Sequence, residues 1–268
     1  MDLIPLIILL RKILYLLILA KPMWYLIDTG FNDPYFNMAY DESLMDCVCN
    51  ENTVFLRFFN FSPVSVSLGY HQKAGGWLRE LEDKGIKWVR RRTGGRAVVH
   101  SFDCTYSMVF HRRNPFVGGN VIESYGKISS VFKKAFELMG VETSIKRGVS
   151  TIERNRKSKM CFSSISLADL CWEERKIIGS AQYRDKDIVL QQGTIMLKTP
   201  EGFPINSGMA TVKMALGKEI ELRKLKSLII KAFENSFNIS FESFNKNPLR
   251  KNTLLKYSSA EWNFKGTF

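Results

Sequence analysis

The stretch that most constrains this chain spans residues 90–100, where four arginines flank a Gly-Gly pair. Short apolar runs precede it at Trp88-Val89 and follow it at Ala97-Val98-Val99, and such runs are typical of strands. Gly94-Gly95 lets the backbone turn tightly and approach another molecule closely. The arginines supply fixed sets of donors that suit carboxylate, phosphate or carbonyl oxygens. The spacing alone fits a binding turn and an ordinary Gly-Gly hairpin turn with solvated arginines equally well.

A second group of motifs favours the binding interpretation. Met160-Cys161 is followed by residues 176–182, which read KIIGSAQ, and by residues 190–194, which read LQQGT. The small residues Gly179-Ser180-Ala181 come directly after an apolar run, where they would let a substrate chain pass close to the backbone. The alternative interpretation is a thin strand packed against a helix.

The composition is that of an ordinary globular chain with an unusual charge. A chain of 268 residues can bury a core as one domain or two small ones, and its 45% hydrophobic and 24% charged residues are typical values. The net charge of +13 predicts attraction to an acidic partner. No zinc-finger, basic-zipper or aromatic RNA-binding signature accompanies this charge, so we expect no nucleic-acid partner.

The cysteines argue against a disulfide framework and against a zinc site. There are five of them, an odd number without regular spacing. Cys47-Val48-Cys49 lacks the paired spacing that zinc ligands show. We therefore expect a reducing compartment and a cytoplasmic protein.

The first 22 residues differ from the rest of the chain. Residues 3–19 are mostly apolar, but Arg11-Lys12 interrupts them, so that each apolar piece is too short to span a bilayer. Basic residues within the apolar run, with no small-residue cleavage site after it, do not fit a signal peptide. A peripheral amphipathic anchor and a translation start placed too early both remain open. We expect residues 1–22 to be an extension without a stable membrane anchor, and residues 23–268 to form a single domain.

The pattern from residue 23 onward predicts an α+β fold, because strands and helices come in separate runs and not in strict alternation. Predicted strands span residues 23–27, 54–59, 64–68, 86–89, 105–110, 169–172, 176–183 and 188–197. Predicted helices span residues 37–48, 77–84, 121–139 and 218–237. The last three strands are expected to be antiparallel neighbours joined by polar turns, and the basic residues 146–159 are expected to form a loop.

Cys161 and Lys176 are the candidate catalytic pair. Cys161 is preceded by basic side chains at Arg154, Arg156, Lys157 and Lys159. A free thiol titrates near pH ~8.5, and nearby cations favour the thiolate, which is the nucleophilic form. A lysine stabilises a thiolate and, once deprotonated, can accept a proton. Taken alone, a cysteine is more often an inert small hydrophobic residue.

Taken together and in this order, the motifs resemble those of the biotin/lipoate protein ligase superfamily. The resemblance is carried by residues 90–100, 176–182, 190–197, 28–30 with 37–42, Arg57 with 65–70, and 256–257 with 261–263. The Gly-Gly-Arg form of the first motif and the spacing from Cys161 to Lys176 are similar to those of the cysteine-dependent octanoyltransferases of lipoate synthesis. Lipoate ligases usually have a third glycine where Arg96 stands, and they lack this cysteine.

The resemblance implies a catalytic domain with a mixed sheet, packed helices and a covalent transfer reaction. Cys161 would carry octanoyl as a thioester between octanoyl-acyl carrier protein and a lysine of a lipoyl-domain protein. Glycine cleavage H protein and the 2-oxoacid dehydrogenase E2 component are such acceptors. Lys176 would lower the pKa of the thiol and position the acyl carbonyl, and neither ATP, another cofactor nor a metal is implied. The implied substrate-binding residues are Arg91, Thr93, Gly94, Gly95, Arg96 at the rim, Ala97, His100, Gly179 and Ser180.

One departure from the family and three rival functions remain open at this point. The family usually has His where Gln192 stands, which bears on any imidazole-dependent step there. The rivals are an ATP-dependent lipoate or biotin ligase, an amidotransferase between lipoyl-domain proteins, and a catalytically silent basic binding protein. Arg96 and Cys161 argue against the ligase, and Cys161 with Lys176 argues against the silent protein.

Overall fold

The chain builds one large mixed sheet, two small sheets and a set of covering helices. The structure, a computed structural model, describes residues 22–146, 169–199 and 210–267. Its strands are β1 (Met23–Asn32), β2 (Thr53–Phe61), β3 (Ser65–Leu68), β4 (Lys87–Arg90), β5 (Val98–His100), β6 (Asp103–His111), β7 (Ser144–Ile145), β8 (Leu170–Trp172), β9 (Arg175–Lys176), β10 (Ile178–Asp185), β11 (Ile188–Met196) and β12 (Glu242–Ser243). Its α-helices are α1 (Pro34–Leu44), α2 (Trp77–Asp83), α3 (Val121–Glu137), α4 (Val212–Leu216), α5 (Leu222–Phe237) and α6 (Lys251–Ser258). A 3-10 helix follows α1 at Met45–Cys47, and a π-helix follows α6 at Glu261–Lys265.

The large sheet has six strands in the order β10-β11-β6-β2-β1-β12. β1 is parallel to β2 and to β12, and the other neighbours are antiparallel. The register places Ile27, Arg57, Ser107, Gln192 and Ala181 opposite one another in a row across the strands. Because residues directly opposite each other share a face, this row brings together side chains from distant parts of the chain.

Helices cover both faces of the large sheet, and every residue of β2 and β6 is buried. Val54, Leu56 and Phe58 belong to the apolar cluster formed with α3 and α5, whereas Phe55 packs with residues of α1. Successive side chains of a strand point to opposite faces, so Arg57 is directed toward α1. This α+β architecture confirms the predicted fold class.

The Gly-Gly stretch is not a hairpin turn. β4 and β5 lie on opposite sides of β3, in the order β4-β3-β5, and each pairs with β3. The connection from β4 to β5 therefore crosses the end of β3, where Gly69 lies. A Cβ atom on Gly69 would be 1.9 Å from the carbonyl oxygen of Gly95, so this crossing needs a glycine. The hairpin interpretation is wrong, because β3 lies between the two strands.

The three antiparallel strands predicted for residues 169–197 are divided between two sheets. β8 pairs with β7 and β9, whereas β10 pairs with β11 in the large sheet. Ile177 separates β9 from β10, and its side chain is buried in the main apolar cluster. The prediction of one continuous strand over residues 176–183 is therefore wrong at Ile177, while both predicted turns are present.

Local capping explains why α1 begins earlier than predicted. Asp33 Oδ1 accepts the backbone N–H of Phe36 at 2.9 Å, and Pro34 occupies the first turn, where a missing N–H costs nothing. The helix pattern of residues 37–48 therefore detected the middle of the element but not its start. Within the described ranges, no helix is long and apolar enough to cross a membrane.

Candidate active site

A cavity lies between the large sheet and the small β4-β3-β5 sheet. It contains about 340 Å³ of unfilled space, part of which is open to solvent. Its lining consists of Met38, Phe59, Phe61, Ser67, Arg91, Val98, His100, Thr105, Gly179, Ser180, Ala181, Gln192, Gly193 and Thr194. The apolar members offer hydrocarbon surface, and most of the polar members belong to hydrogen-bonded networks.

Arg91 organises the Gly-Gly turn from inside. Its Nη1 donates to the carbonyl oxygen of Ser67 at 2.9 Å and to Ser67 Oγ at 3.1 Å. Its Nη2 donates to the carbonyl oxygens of Gly94 at 2.7 Å and Arg96 at 2.8 Å. A planar guanidinium suits such simultaneous contacts, so Arg91 fixes the shape of the turn on the cavity side.

His100 forms the first network together with Ser67 and Asp103. Its Nδ1 lies 2.8 Å from Asp103 Oδ2, and its Nε2 lies 2.9 Å from Ser67 Oγ. Thr105 Oγ1 donates to the same Asp103 oxygen at 2.6 Å, and Phe61 stacks on the imidazole with ring centroids 3.8 Å apart. Both ring nitrogens are therefore occupied, and the ring itself is part of the cavity wall.

The second network joins the row on the large sheet to the turn. Asp41 Oδ1 accepts from Arg57 Nη1 and from Ser107 Oγ, both at 2.6 Å. Asp41 Oδ2 accepts from Gln192 Nε2 at 2.7 Å, and Gln192 Oε1 accepts from Thr93 Oγ1 at 2.7 Å. Burial lowers the pKa of Arg57, and the adjacent Asp41 opposes this shift by favouring the charged form. A buried charged pair thus lies beneath the cavity.

Tyr106 determines which side chains fit on the neighbouring strands. A Cβ atom on Gly193 would be 2.2 Å from the Tyr106 ring. The Tyr106 hydroxyl lies 2.9 Å from Ser180 Oγ and accepts from Gln191 Nε2 at 3.0 Å. Burial raises the pKa of Tyr106 to about 12, so its hydroxyl stays protonated at neutral pH. The glycine at 193 is therefore required by packing on the far side of the sheet.

Lys176 is buried two residues before the start of β10, the strand that lines the cavity. Its Nζ lies 2.9 Å from Asp169 Oδ2, and the two side chains are 5% and 3% exposed. The backbone of Lys176 accepts from the N–H of Ala210 at 3.0 Å, and Cys171 is its partner on β8. Burial raises the pKa of Cys171 to about 11, with a further upward contribution from Asp169 and opposing ones from Lys146 and Lys176. Cys171 is therefore protonated, and a poor nucleophile, at neutral pH.

The structure brings some of the predicted site residues to the cavity and leaves others apart from it. Arg91, His100, Gly179 and Ser180 line it, and Thr93 contacts its lining through Gln192. Gly95 is exposed with φ +87°, and Arg96 contributes its carbonyl oxygen to Arg91. Ala97 packs with Val66, Leu68, Leu78 and Trp88 in a separate apolar cluster. Cys161 lies outside the described residues, as do residues 1–21 and 147–159.

The sequence prediction did not assign roles to several residues of these networks. Arg57 and Asp41 appeared only within motifs, and Asp103 and Asp169 were not singled out. Arg57 carried a usable signal, because an arginine inside an otherwise apolar strand needs a buried partner. Asp169 carried no such signal, since its pairing with Lys176 depends on a turn between adjacent short strands. In the part of the chain that the structure describes, no group of three or more His, Cys, Asp or Glu could hold a metal ion.

Known proteins with similar sequences give this geometry a context. Octanoyltransferase LipM from Geobacillus kaustophilus is 31% identical over 278 aligned positions, which cover 92% of this chain and 100% of that protein. Octanoyltransferase LipM from Staphylococcus aureus is 30% identical and covers 90% of this chain and 98% of that protein.

Solved structures with a similar fold are lipoate protein ligases. Ta0514 from T. acidophilum, a putative lipoate protein ligase, has a TM-score of 0.72 at 20% identity, covering 91% of this chain and 99% of that chain. A lipoate-protein ligase A bound with ATP also has a TM-score of 0.72, at 19% identity. These two likenesses concern the fold alone. The lipoyl protein ligase A/B catalytic domain matches residues 33–234, and this chain therefore belongs to that family.

Proposed function

We propose that this protein is an octanoyltransferase of protein lipoylation. It takes octanoyl from octanoyl-acyl carrier protein onto Cys161 and passes it to a lysine of a lipoyl-domain protein. Glycine cleavage H protein and the 2-oxoacid dehydrogenase E2 component are the acceptor types that we expect. Similarity over nearly the whole length of proteins named octanoyltransferase supports this assignment.

The observation that carries the proposal is the cavity between the Gly-Gly turn and β10. Most of its polar side chains have partners within the protein: Ser67 with His100, Thr105 with Asp103, Gln192 with Thr93, and Ser180 with Tyr106. Such groups are not left unsatisfied when a hydrocarbon chain displaces water, so a saturated acyl chain can bind with a small desolvation penalty. This wall suits octanoyl better than a polar substrate.

The reaction consists of two acyl transfers. The Cys161 thiolate attacks the carbonyl carbon of the donor thioester, a new carbon–sulfur bond forms, and the carrier thiolate leaves. The neutral amine of the acceptor lysine then attacks the enzyme thioester, loses a proton as the amide forms, and releases the Cys161 thiolate. Exchange between thioesters is nearly balanced, and amide formation drives the sequence forward without ATP.

Two properties of the chain suit the two halves of this reaction. Lys176 lies three and four residues before Gly179 and Ser180, which line the cavity. An ammonium group at this place can stabilise a thiolate and polarise an acyl carbonyl. The net charge of +13 favours encounter with acidic carrier and lipoyl domains, and it predicts that transfer slows as salt is raised.

The test is acyl loading without an acceptor. Incubation with octanoyl-acyl carrier protein should add one octanoyl group on Cys161, detected by intact mass and peptide mapping. Cys161→Ala should abolish loading and transfer, whereas the matched control Cys49→Ala, which removes an exposed free thiol, should retain both. Parallel reactions with and without ATP complete the design. Label on another cysteine would refute the assignment, and strict dependence on ATP would identify a ligase.

A further inference from the structure

Gln192 forms a hydrogen-bonded connection across the cavity, from the large sheet to the Gly-Gly turn. Its Oε1 accepts from Thr93 Oγ1 at 2.7 Å, and its Nε2 donates to Asp41 Oδ2 at 2.7 Å. Thr93 is fully buried, and Gln192 is only 7% exposed. The two residues are far apart in sequence, and this contact joins the separate sheets on either side of the cavity.

The polarity of this connection is set by the buried ion pair. An ionised Asp41 only accepts hydrogen bonds, and it already accepts from Arg57 and Ser107. The amide of Gln192 must therefore turn its Nε2 toward Asp41, which leaves Oε1 facing the turn. Thr93 must then donate. Each donor in this connection, from Thr93 to Gln192 and from Gln192 to Asp41, therefore meets an acceptor.

One other contact of this stretch also reaches the large sheet: Arg92 Nη2 donates to the Tyr183 hydroxyl on β10 at 2.8 Å, but this bond is only partly buried and does not involve Asp41. Arg91 ties Gly94 and Arg96 to Ser67, and the N–H of Tyr70 donates to the carbonyl oxygen of Thr93 at 2.9 Å. These bonds shape the turn within the β4-β3-β5 sheet and its flanking loops. Gln192 instead ties the buried side of the turn to β11 and to Asp41.

We propose that Gln192 is a positioning residue that holds the turn at residues 93–95 at the separation from β10 and β11 that the acyl chain requires. This inference rests on the proposed octanoyl transfer. It also accounts for the glutamine at a position where the family usually has histidine. A glutamine amide accepts from Thr93 and donates to Asp41 at the same time, as a neutral imidazole could. Unlike an imidazole, the amide carries out both tasks at any pH between 5 and 8 without titrating.

The test compares loading rates at varied donor concentration. Gln192→Leu keeps a similar size but loses both hydrogen bonds, and it should raise the KM for octanoyl-acyl carrier protein about tenfold, with a much smaller effect on kcat. Thr93→Val should give the same defect, and the double variant should be no worse than either single variant. Gln192→His should restore loading at pH 8 to within about threefold of the parent.

The control is Gln191→Leu, which removes an equally buried amide from the other face of β11, where it donates to Tyr106. Its effect should add to that of Thr93→Val, because Gln191 does not touch the turn. Hydrogen exchange of the Tyr70 amide gives a readout without activity, and it should be faster in Gln192→Leu than in the parent and in Gln191→Leu.

The outcomes separate this inference from the proposed function. If the parent loads and Gln192→Leu loads with the same KM, or if the Gln192 and Thr93 effects simply add, the positioning role is wrong. If the parent does not load, the octanoyl-transfer proposal fails. In that case the hydrogen exchange of the Tyr70 amide still tests the Gln192–Thr93 connection. An unchanged rate in Gln192→Leu overturns it, and a rate faster than that of the parent supports it.

Discussion

Removing the charge of Lys176 should cost stability as well as activity. At 2.9 Å the attraction between Lys176 and Asp169 is about 6 kcal/mol for an effective dielectric constant of about 20. Desolvation of two buried charges offsets much of this attraction, but Lys176→Met removes the buried cation with which the Asp169 carboxylate pairs. The expected loss in the free energy of unfolding is about 3–5 kcal/mol. This is a large part of the ~5–15 kcal/mol that holds a typical domain folded.

A double variant separates the two effects. Lys176→Met with Asp169→Leu replaces the ion pair by apolar side chains, and it should recover most of the lost stability. On the proposed mechanism it should not recover acyl loading, because Lys176 would be the cation that stabilises the Cys161 thiolate. In the single variant, loading should be slow near neutral pH and should partly recover as the pH is raised, since alkali then supplies the thiolate.

Urea unfolding followed by tryptophan fluorescence measures the stability, and intact mass measures the loading rate. Lys133→Met serves as the control, because Lys133 pairs with Glu137 on an exposed helix surface and should change stability by less than about 1 kcal/mol. If Lys176→Met is as stable as the parent, the reasoning about the buried pair is refuted. If the double variant regains both stability and loading, Lys176 has a structural role only.

Other parts of the chain give further expectations. Burial raises the pKa of Cys104 to about 12, whereas an unfolded thiol ionises near ~8.5, so stability should fall as the pH rises above about 9, with a shallower fall in Cys104→Ala. At pH 8, iodoacetamide should label exposed Cys49 in the folded protein but leave Cys104 unmodified until urea unfolds it. Gly95→Val should cost about 1–3 kcal/mol in urea unfolding, because φ is +87° there; Gly94→Ala, whose Cβ meets open space, should cost less than about 1 kcal/mol. A protein that begins at Met23 keeps every described strand and helix, and should melt and load as the full chain does; aggregation of this form would show that residues 1–22 belong to the fold.

Local patterns predicted the elements of this fold better than their pairing. Alternation and apolar spacing located β2, β6, α3 and α5, because their signals come from residues close in sequence. The placement of β3 between β4 and β5 depends on contacts between segments that a single sequence does not connect. The break at Ile177 has the same origin, since this side chain is drawn into the core under α3 and α5.

The sequence identified site residues that belong to one continuous motif. It did not identify contacts between residues from distant parts of the chain. Arg91 and His100 were found from the Gly-Gly stretch, although their donors prove to be used within the protein. Asp41 could not be connected to Gln192 from the sequence, because α1 and β11 are far apart in the chain and are brought together only by the tertiary fold. The unusual glutamine was visible from the resemblance, but its partners were not.

If the cavity holds the acyl chain as proposed, the arrangement of β10 explains how a cavity with polar residues would accept a saturated chain. Ser180 Oγ lies 2.9 Å from the Tyr106 hydroxyl on the side of the sheet that faces α3, so its hydrogen-bonding capacity is used away from the acyl chain. Gly193 has no side chain, because a Cβ atom there would overlap the Tyr106 ring. What β10 and β11 offer the substrate at this point is therefore backbone and small apolar surface, with Ala181 beside it. Selection in such a site acts through shape, and one additional or missing methylene is worth only about 1–3 kcal/mol. A polar group on the chain costs more, since most of the side chains that could pair with it are already bonded within the protein.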